Sequence, residues 1–289
     1  MHLQPGVAMT VREMDRTPFA AQWQTWHSEH ETRLADPHGF LSVTSLRWLD
    51  ANPTRFEDAP GAWSTGHEGV TVELADGERL TIDGVEVDGT YSFGVIEERD
   101  SVFAGFGDAV VEVAKRGGYD IVRPRHPEHY LRLNFTGVPA FDPDPQWVIP
   151  GNYVAFDTPR AVKVGAAAEG IEHVYEAPGR IDFDLDGGSH SLIAFNGSQP
   201  GDLFVLFTDA TSGITTYTAN RSLRVDAPDA TGSVTLDFNR AVNLPCAYTD
   251  LATCPLPPAE NRLSIAIEAG ERIPYERASE EFSRHARER

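Results

Sequence analysis

Ile181-Asp182-Phe183-Asp184-Leu185-Asp186-Gly187-Gly188 is the stretch that decides the fold. Three apolar residues alternate strictly with three aspartates. Successive side chains of a strand point to opposite faces, so one face is buried and the other wet. Asp186-Gly187-Gly188 then turns the chain, and Leu192 to Phe195 returns. Further out, Leu203 to Phe207 is an unbroken apolar run of strand length, which reads as a central strand buried on both faces. Thr215 to Val225, Val234 to Phe238 and Leu263 to Ile267 bring this half to roughly eight strands.

The period of two also runs upstream, from Phe56 to near Phe135. Val70, Val72 and Leu74 alternate with Thr71 and Glu73, and Asp76-Gly77, Asp83-Gly84 and Asp88-Gly89 are pairs that close hairpins. Val102 to Phe106, Val110 to Val113 and Asp120 to Arg123 continue the meander, and roughly five or six short strands at this spacing predict a small sandwich or open barrel. Val138 to Gly151, with Pro139, Pro143, Pro145 and Pro150, separates the two β runs. Ahead of both, Phe19, Trp23, Trp26, His30 and Leu34 recur at three- and four-residue spacing. That predicts a helix from Thr17 to Asp36, with Thr17 as cap, Pro18 at the first helical position and Asp36-Pro37 as the stop. Leu41 to Leu49 reads as a short strand or second helix.

The expected class is therefore all-β, mainly antiparallel, with an N-terminal helix. The expected order is a helical segment over 1–55, a first β unit over 56–137 and a Pro-rich linker over 138–151. A second β unit, barrel or sandwich, follows over 152–275, and a charged tail over 276–289 closes the chain. Residues 1–12 are expected to be a loose terminus.

The net charge of −20 argues against nucleic acid and anionic membrane as partners, since both repel such a surface. Lys115 and Lys163 are the only lysines, so the basic set is arginine. No run approaches the ~18 apolar residues of a membrane span. Met1 to Arg16 has neither the basic nor the apolar region of a secretory leader. A cytoplasmic protein is the expectation, with Cys246 and Cys254 as thiols or, being close in sequence, as a local disulfide.

Both cysteines lie in one polar, proline-rich stretch. Asp237-Phe238-Asn239-Arg240-Ala241 leads into Asn243-Leu244-Pro245-Cys246-Ala247-Tyr248, and Cys254-Pro255-Leu256-Pro257-Pro258 into Glu260-Asn261-Arg262-Leu263. These motifs are similar to the C-terminal signature of the bacterial and archaeal proteins grouped as domain of unknown function 1684. Phe207-Thr208-Asp209-Ala210-Thr211-Ser212-Gly213, Tyr217 and Arg221 fit the same pattern, as does His38-Gly39-Phe40-Leu41-Ser42-Val43. The resemblance covers most of the chain and implies kinship; the family brings no established activity.

On the strand before the signature, Thr235, Asp237 and Asn239 share one face, and three hydrogen-bonding groups inside a barrel would make a small-molecule pocket. Arg221 or Arg240 would pair with Asp209 or Asp237, or hold an anionic ligand by a bidentate fork. The expected pocket is bounded by Asp209, Arg221, Asp237, Asn239 and Asn243 to Cys246, with Tyr217 beside it. As an enzyme it would be a hydrolase or isomerase without a nucleotide cofactor, with Asp209 or Asp237 as base, or Cys246 as nucleophile.

A cysteine nucleophile needs a base, and His173 and His190 would have to arrive through the fold. Cys-x7-Cys is not a zinc spacing, and His27-x-x-His30 with Glu31 reads as packing beside Trp23 and Trp26, so no metal site is assigned. Arg123-Pro124-Arg125-His126-Pro127-Glu128-His129 is a basic patch in an acidic chain, either an anion site or a turn paired with carboxylates. There is no Gly-x-Ser-x-Gly elbow, dinucleotide fingerprint or phosphate loop. Two other readings stand beside the small-molecule binder: a structural or interaction module with buried thiols, and a flavin-binding split barrel. Cofactor and oligomeric state are unassigned.

Overall fold

A computed structural model describes residues 11–275 and 277. In chain order the elements are α1 (Val11–Leu34), β1 (Arg47–Trp48), β2 (Thr54–Phe56), β3 (Ala59–Gly66), β4 (Gly69–Glu73), β5 (Leu80–Ile82), β6 (Val85–Val87), β7 (Thr90–Gly94), β8 (Ser101–Phe106), β9 (Ala109–Arg116) and β10 (Tyr119–Arg125). Then come α2 (Tyr130–Leu133), β11 (Val148–Gly165), β12 (Glu172–Leu185), β13 (Gly188–Asn196), β14 (Leu203–Phe207), β15 (Arg221–Val225), β16 (Ser233–Asp237) and β17 (Val242–Asn243). The protein is mainly antiparallel β with an N-terminal helix, and its named strands form three sheets.

Two of the expected Asp-Gly turns close hairpins, whereas Asp76-Gly77 and Asp88-Gly89 carry the chain between strands of different sheets. Asp83-Gly84 joins β5 to β6 and Asp186-Gly187 joins β12 to β13, with both residues of each pair at positive φ, as a two-residue hairpin turn requires. The first half holds the six-stranded sheet β1-β10-β9-β8-β5-β6 and the four-stranded sheet β2-β3-β4-β7. They share one core in which Trp63, Val70 and Val72 meet Leu80, Val111, Val113 and Val122.

The second half is one seven-stranded sheet, β16-β11-β12-β13-β14-β15-β17. It curls until β15 contacts β16, yet no ladder joins them, so of the two expected forms the barrel does not close. Its inner face is filled by Ile181, Phe183, Leu192, Val205, Phe207, Leu236 and Phe238. Strand β14 is buried on both faces: Val205 and Phe207 point inward, while Leu206 packs outward against Leu244, Cys246, Ala252 and Cys254. Within the segment Asp237–Leu263, called here the signature loop, residues 244–254 thus cover the outer face of the sheet, while Phe238, Ala241 and Leu263 pack in the inner core.

The same loop includes a repair. Strands β13 and β14 pair only at Phe195–Phe204 and Asn196–Leu203, then diverge. Asn261 enters the gap, fully buried. Its Oδ1 accepts from Ile193 N at 2.7 Å, and its Nδ2 donates to the carbonyls of Ile193 and Leu206 at 2.9 and 2.8 Å. A single side-chain amide replaces the missing ladder bonds.

Helix α1 begins earlier than Thr17, so Pro18 lies inside it and residues 11 and 12 are helical. Arg12, Glu13, Met14 and Arg16 are strong helix formers, and their preference carries the helix through the one N–H that Pro18 lacks. The helix docks on the signature loop: Trp23 Nε1 donates to Asn239 O at 2.7 Å, Trp23 stacks on His27, and Trp26 stacks on His30. Leu41 falls in a short 3-10 turn, Phe40–Ser42, and β1 follows. The expected loose start over residues 1–10 and the tail beyond Arg277 lie outside the described residues. No helix among the described residues is long and apolar enough to cross a membrane.

Candidate functional site

Strands β9 and β10 carry charge where a buried strand should be apolar. Glu112 lies directly opposite Arg123 in the antiparallel register, and Arg116 and Arg125 sit at even spacing from them, on the same face. Glu112 is 2% exposed and accepts from Arg123 through two bonds, Nε at 2.9 Å and Nη2 at 2.7 Å. Arg116 Nη2 adds a third at 3.1 Å and Arg125 Nη2 a fourth. Burial alone would raise the Glu112 pKa, but the Arg123 and Arg125 guanidiniums outweigh it and hold the carboxyl below its ordinary range. Burial pushes Arg116 and Arg125 down, so the cations are only partly compensated by their one shared carboxylate.

Arg99 joins this cluster from the loop before β8. It has φ +74, a left-handed conformation that a residue with a Cβ adopts at a cost, and it lies outside any Asp-Gly turn. Its N–H donates to Lys115 O at 3.1 Å, and its guanidinium sits 4.6 Å from the centroid of the Tyr175 ring. Neighbouring Glu98 is occupied by the backbone, accepting from Gly117 N and Gly118 N at 2.7 and 2.8 Å.

The opposite wall comes from β12 and the signature loop. His173, 3% exposed, is within 2.7 Å of Thr253 O through Nε2. A carbonyl only accepts, so Nε2 carries the hydrogen. Nδ1 is then buried without a hydrogen-bond partner, 3.9 Å from Glu98. Between these walls lies a cavity of about 260 Å³ lined by Arg99, Arg116, Arg123, His173, Tyr175 and Cys254, with Phe40, Leu244 and Pro245 as apolar surface. Glu112 does not line it. Arg123 and Arg125 both lie against the Phe40 ring. Arg99 also borders a wider hollow of about 750 Å³ with Asn196, Ser198 and Arg224.

The residues singled out from sequence are placed in three separate groups. Asp209 and Arg221 form a buried ion pair at 2.7 Å. Arg221 further donates to the carbonyls of Ile267, Ala269 and Glu271, and Asp209 Oδ1 accepts from Thr211 and from Ile267 N, so both tie the C-terminal segment to the end of β14. Asp237 caps a 3-10 turn by accepting from Asn239 N, and it pairs with Arg240 Nε at 3.2 Å. Thr235 is exposed, and Asn239 is spent on Asp144 and Asp237, so this face of β16 looks out from a packed interior. Arg240 lies over Trp26.

In the third group, Tyr217 OH donates to Cys246 O at 2.8 Å, and burial pushes the Tyr217 pKa up to about 12. Asn243 belongs with the first group, opposite Arg221 in the β15–β17 register, and is held by Glu271, which Arg221 also contacts, and by Arg272. His190 reaches Leu185 O and lies beside the Phe183 ring, away from both cysteines. The basic patch divides: Arg123 enters the cavity, while His129 turns back to Leu41 O and His126 accepts from Glu128 N. The histidines of α1 do pack against tryptophan, and His30 Nε2 also lies 3.0 Å from the buried Glu271 carboxylate. No group of three or more candidate ligands for a metal occurs among the described residues.

Sequence reasoning did not single out Arg99, Arg116 or Tyr175. Charges at even spacing in the otherwise apolar β9 and β10 are a readable signal for Arg116; nothing local marks Arg99.

A family model described as protein of unknown function (DUF1684) matches residues 133–272. That span contains the His173, Tyr175 and signature-loop wall; the arginines come from outside it. Among solved structures, an uncharacterized protein of Haloarcula marismortui, determined in solution by NMR, is similar at 38% identity. The likeness covers 50% of this chain and 80% of that one, with a TM-score of 0.42. Comparison with curated proteins gives no match.

Proposed function

The chain belongs to the DUF1684 family, which brings no activity with it, and from its own geometry we propose that it is a cytoplasmic protein binding a small anionic molecule, a carboxylate or phosphate, in the arginine-lined cavity. One observation carries the reading. In a chain of net charge −20, three arginines line one cavity of about 260 Å³ together with His173, whose buried Nδ1 has no hydrogen-bond partner, and their balancing carboxylate lies outside it. Arginine forks match planar or tetrahedral oxyanions, and an anion there would stabilise charges that burial now disfavours. Arg99 supports the reading independently, because backbone held in a costly conformation is concentrated at ligand sites.

The test is calorimetric titration with inorganic phosphate, and with malonate for the carboxylate class, at constant ionic strength. Binding is expected for the wild type and loss of binding for Arg99→Gly. Glycine accepts the left-handed backbone without penalty, so the variant should keep its stability within about 1 kcal/mol. Failure of both anions to bind the wild type, or full binding by Arg99→Gly, overturns the proposal.

A further inference from the structure

Cys254 lines the same cavity, and Cys246 lies directly behind it; both are free thiols. The two side chains are hydrogen-bonded to each other. Cys246 N–H also donates to Cys254 Sγ at 3.3 Å. That donor is available because Cys246 sits in a one-turn 3-10 segment, Pro245–Ala247, whose early N–H groups have no partner within the turn. Arg123, on the same cavity, adds positive charge. Donors and charge thus favour an anion on one sulfur of the two. The hydrogen bond from Cys246 lowers the Cys254 pKa against the opposing effect of burial, and the same bond pushes Cys246 up. Sequence reasoning had named Cys246 as the candidate nucleophile; Cys254, though buried, is the one of the two that lines the cavity.

We propose that Cys254 and Cys246 are a peroxide-reactive pair, with Cys254 attacking a hydroperoxide that enters by the arginine-lined cavity and Cys246 resolving the product. In the first step the Cys254 thiolate attacks one peroxide oxygen. An S–O bond forms, the O–O bond breaks, and the leaving alkoxide or hydroxide takes a proton from water. In the second step Cys246 gives up its proton and attacks Cys254 Sγ. The S–S bond forms, the S–O bond breaks, and the departing hydroxide leaves with that proton as water. The thiol pair loses two electrons and the peroxide gains them. The step needs accessible, paired thiols and no bound anion, so it stands or falls separately from phosphate or malonate binding.

The experiment treats the reduced full chain with hydrogen peroxide near pH 7 and follows intact mass and mapped peptides. The wild type is expected to lose two hydrogens and yield a linked Cys246–Cys254 peptide, reacting faster by roughly tenfold or more than the same chain unfolded in urea. Cys246→Ser should stop at the gain of one oxygen on Cys254, captured by a sulfenic-acid reagent, and Cys254→Ser should lose the fast reaction. Limiting alkylation of the native wild type, which needs no variant, should label Cys254 before Cys246. Native thiols untouched by peroxide while the unfolded chain oxidises overturn the proposal. So does wild-type speed in a folded Cys254→Ser variant, or labelling of Cys246 first.

Discussion

Replacing Glu112 with glutamine removes the carboxylate shared by Arg116, Arg123 and Arg125 while keeping the side chain's shape. The carboxylate accepts four charge-assisted bonds at 2% exposure. The amide keeps one acceptor oxygen and turns an N–H₂ group toward guanidinium donors, so contacts are lost and buried cations stay unpaired. Breaking a buried pair from one side costs about 3–5 kcal/mol. In a chain of this size that corresponds to a fall in melting temperature of roughly 5–8 °C.

The cavity adds a second, opposite effect. With the competing carboxylate gone, an anion should bind more tightly, since a unit charge within about 8 Å is worth roughly 2 kcal/mol at an effective dielectric near 20. Phosphate at about a hundred times its dissociation constant should then return about 2.7 kcal/mol, most of what the substitution removed. Urea denaturation in chloride, repeated with added phosphate at equal ionic strength, reads both effects as shifts in midpoint. A loss below about 1 kcal/mol refutes the assignment of Glu112 as the principal countercharge. A loss that phosphate does not repair refutes the anion cavity.

Acid should act through the same group. The folded pKa of Glu112 lies below its ordinary 4.5, so its contribution is fully present above that value and is lost as pH falls through the folded pKa. The wild-type urea midpoint should therefore drop more steeply below pH 4.5 than that of Glu112→Gln; parallel curves would assign acid sensitivity to other carboxylates. Gly69→Ala tests the first core. At φ +95 its Cβ would meet Gly94 O at 1.8 Å, whereas Gly77, at φ +88, has open space. Gly77→Ala should cost about 1–2 kcal/mol for the left-handed backbone alone, and Gly69→Ala about 3 kcal/mol or more. Equal costs in urea denaturation would remove the clash as the cause.

Two hairpins were legible because their determinants are local, while the same Asp-Gly signal at Asp76-Gly77 and Asp88-Gly89 marks a change of sheet that only the packing of the two sheets decides. An Asp-Gly pair between alternating runs names both the turn and the faces, and Asp83-Gly84 and Asp186-Gly187 adopt the backbone that chemistry requires. The Asp209–Arg221 and Asp237–Arg240 pairs were legible as complementary charges near each other in sequence. The arginine cavity was not, because it is assembled by register and by packing between distant strands. Arg123 faces Glu112 only once β9 and β10 pair, and Tyr175 meets Arg99 only across the two halves. Nothing near Arg99 in sequence announces a left-handed residue. The early start of α1 was missed because Pro18 looks like a first helical position, and propensity upstream overrode that sign.

Asn261 has a consequence for how the chain reaches its native state. The strands it bridges are complete by Phe207, yet their gap is closed by a residue 68 positions after Ile193 and 55 after Leu206. On an emerging chain, β13 and β14 therefore present unsatisfied backbone to any strand that passes, until the signature loop has been made and has docked. The late arrival of one amide sets a window in which neighbouring chains compete for the same bonds, so misassembly should rise with concentration during folding and fall once residue 261 is in place.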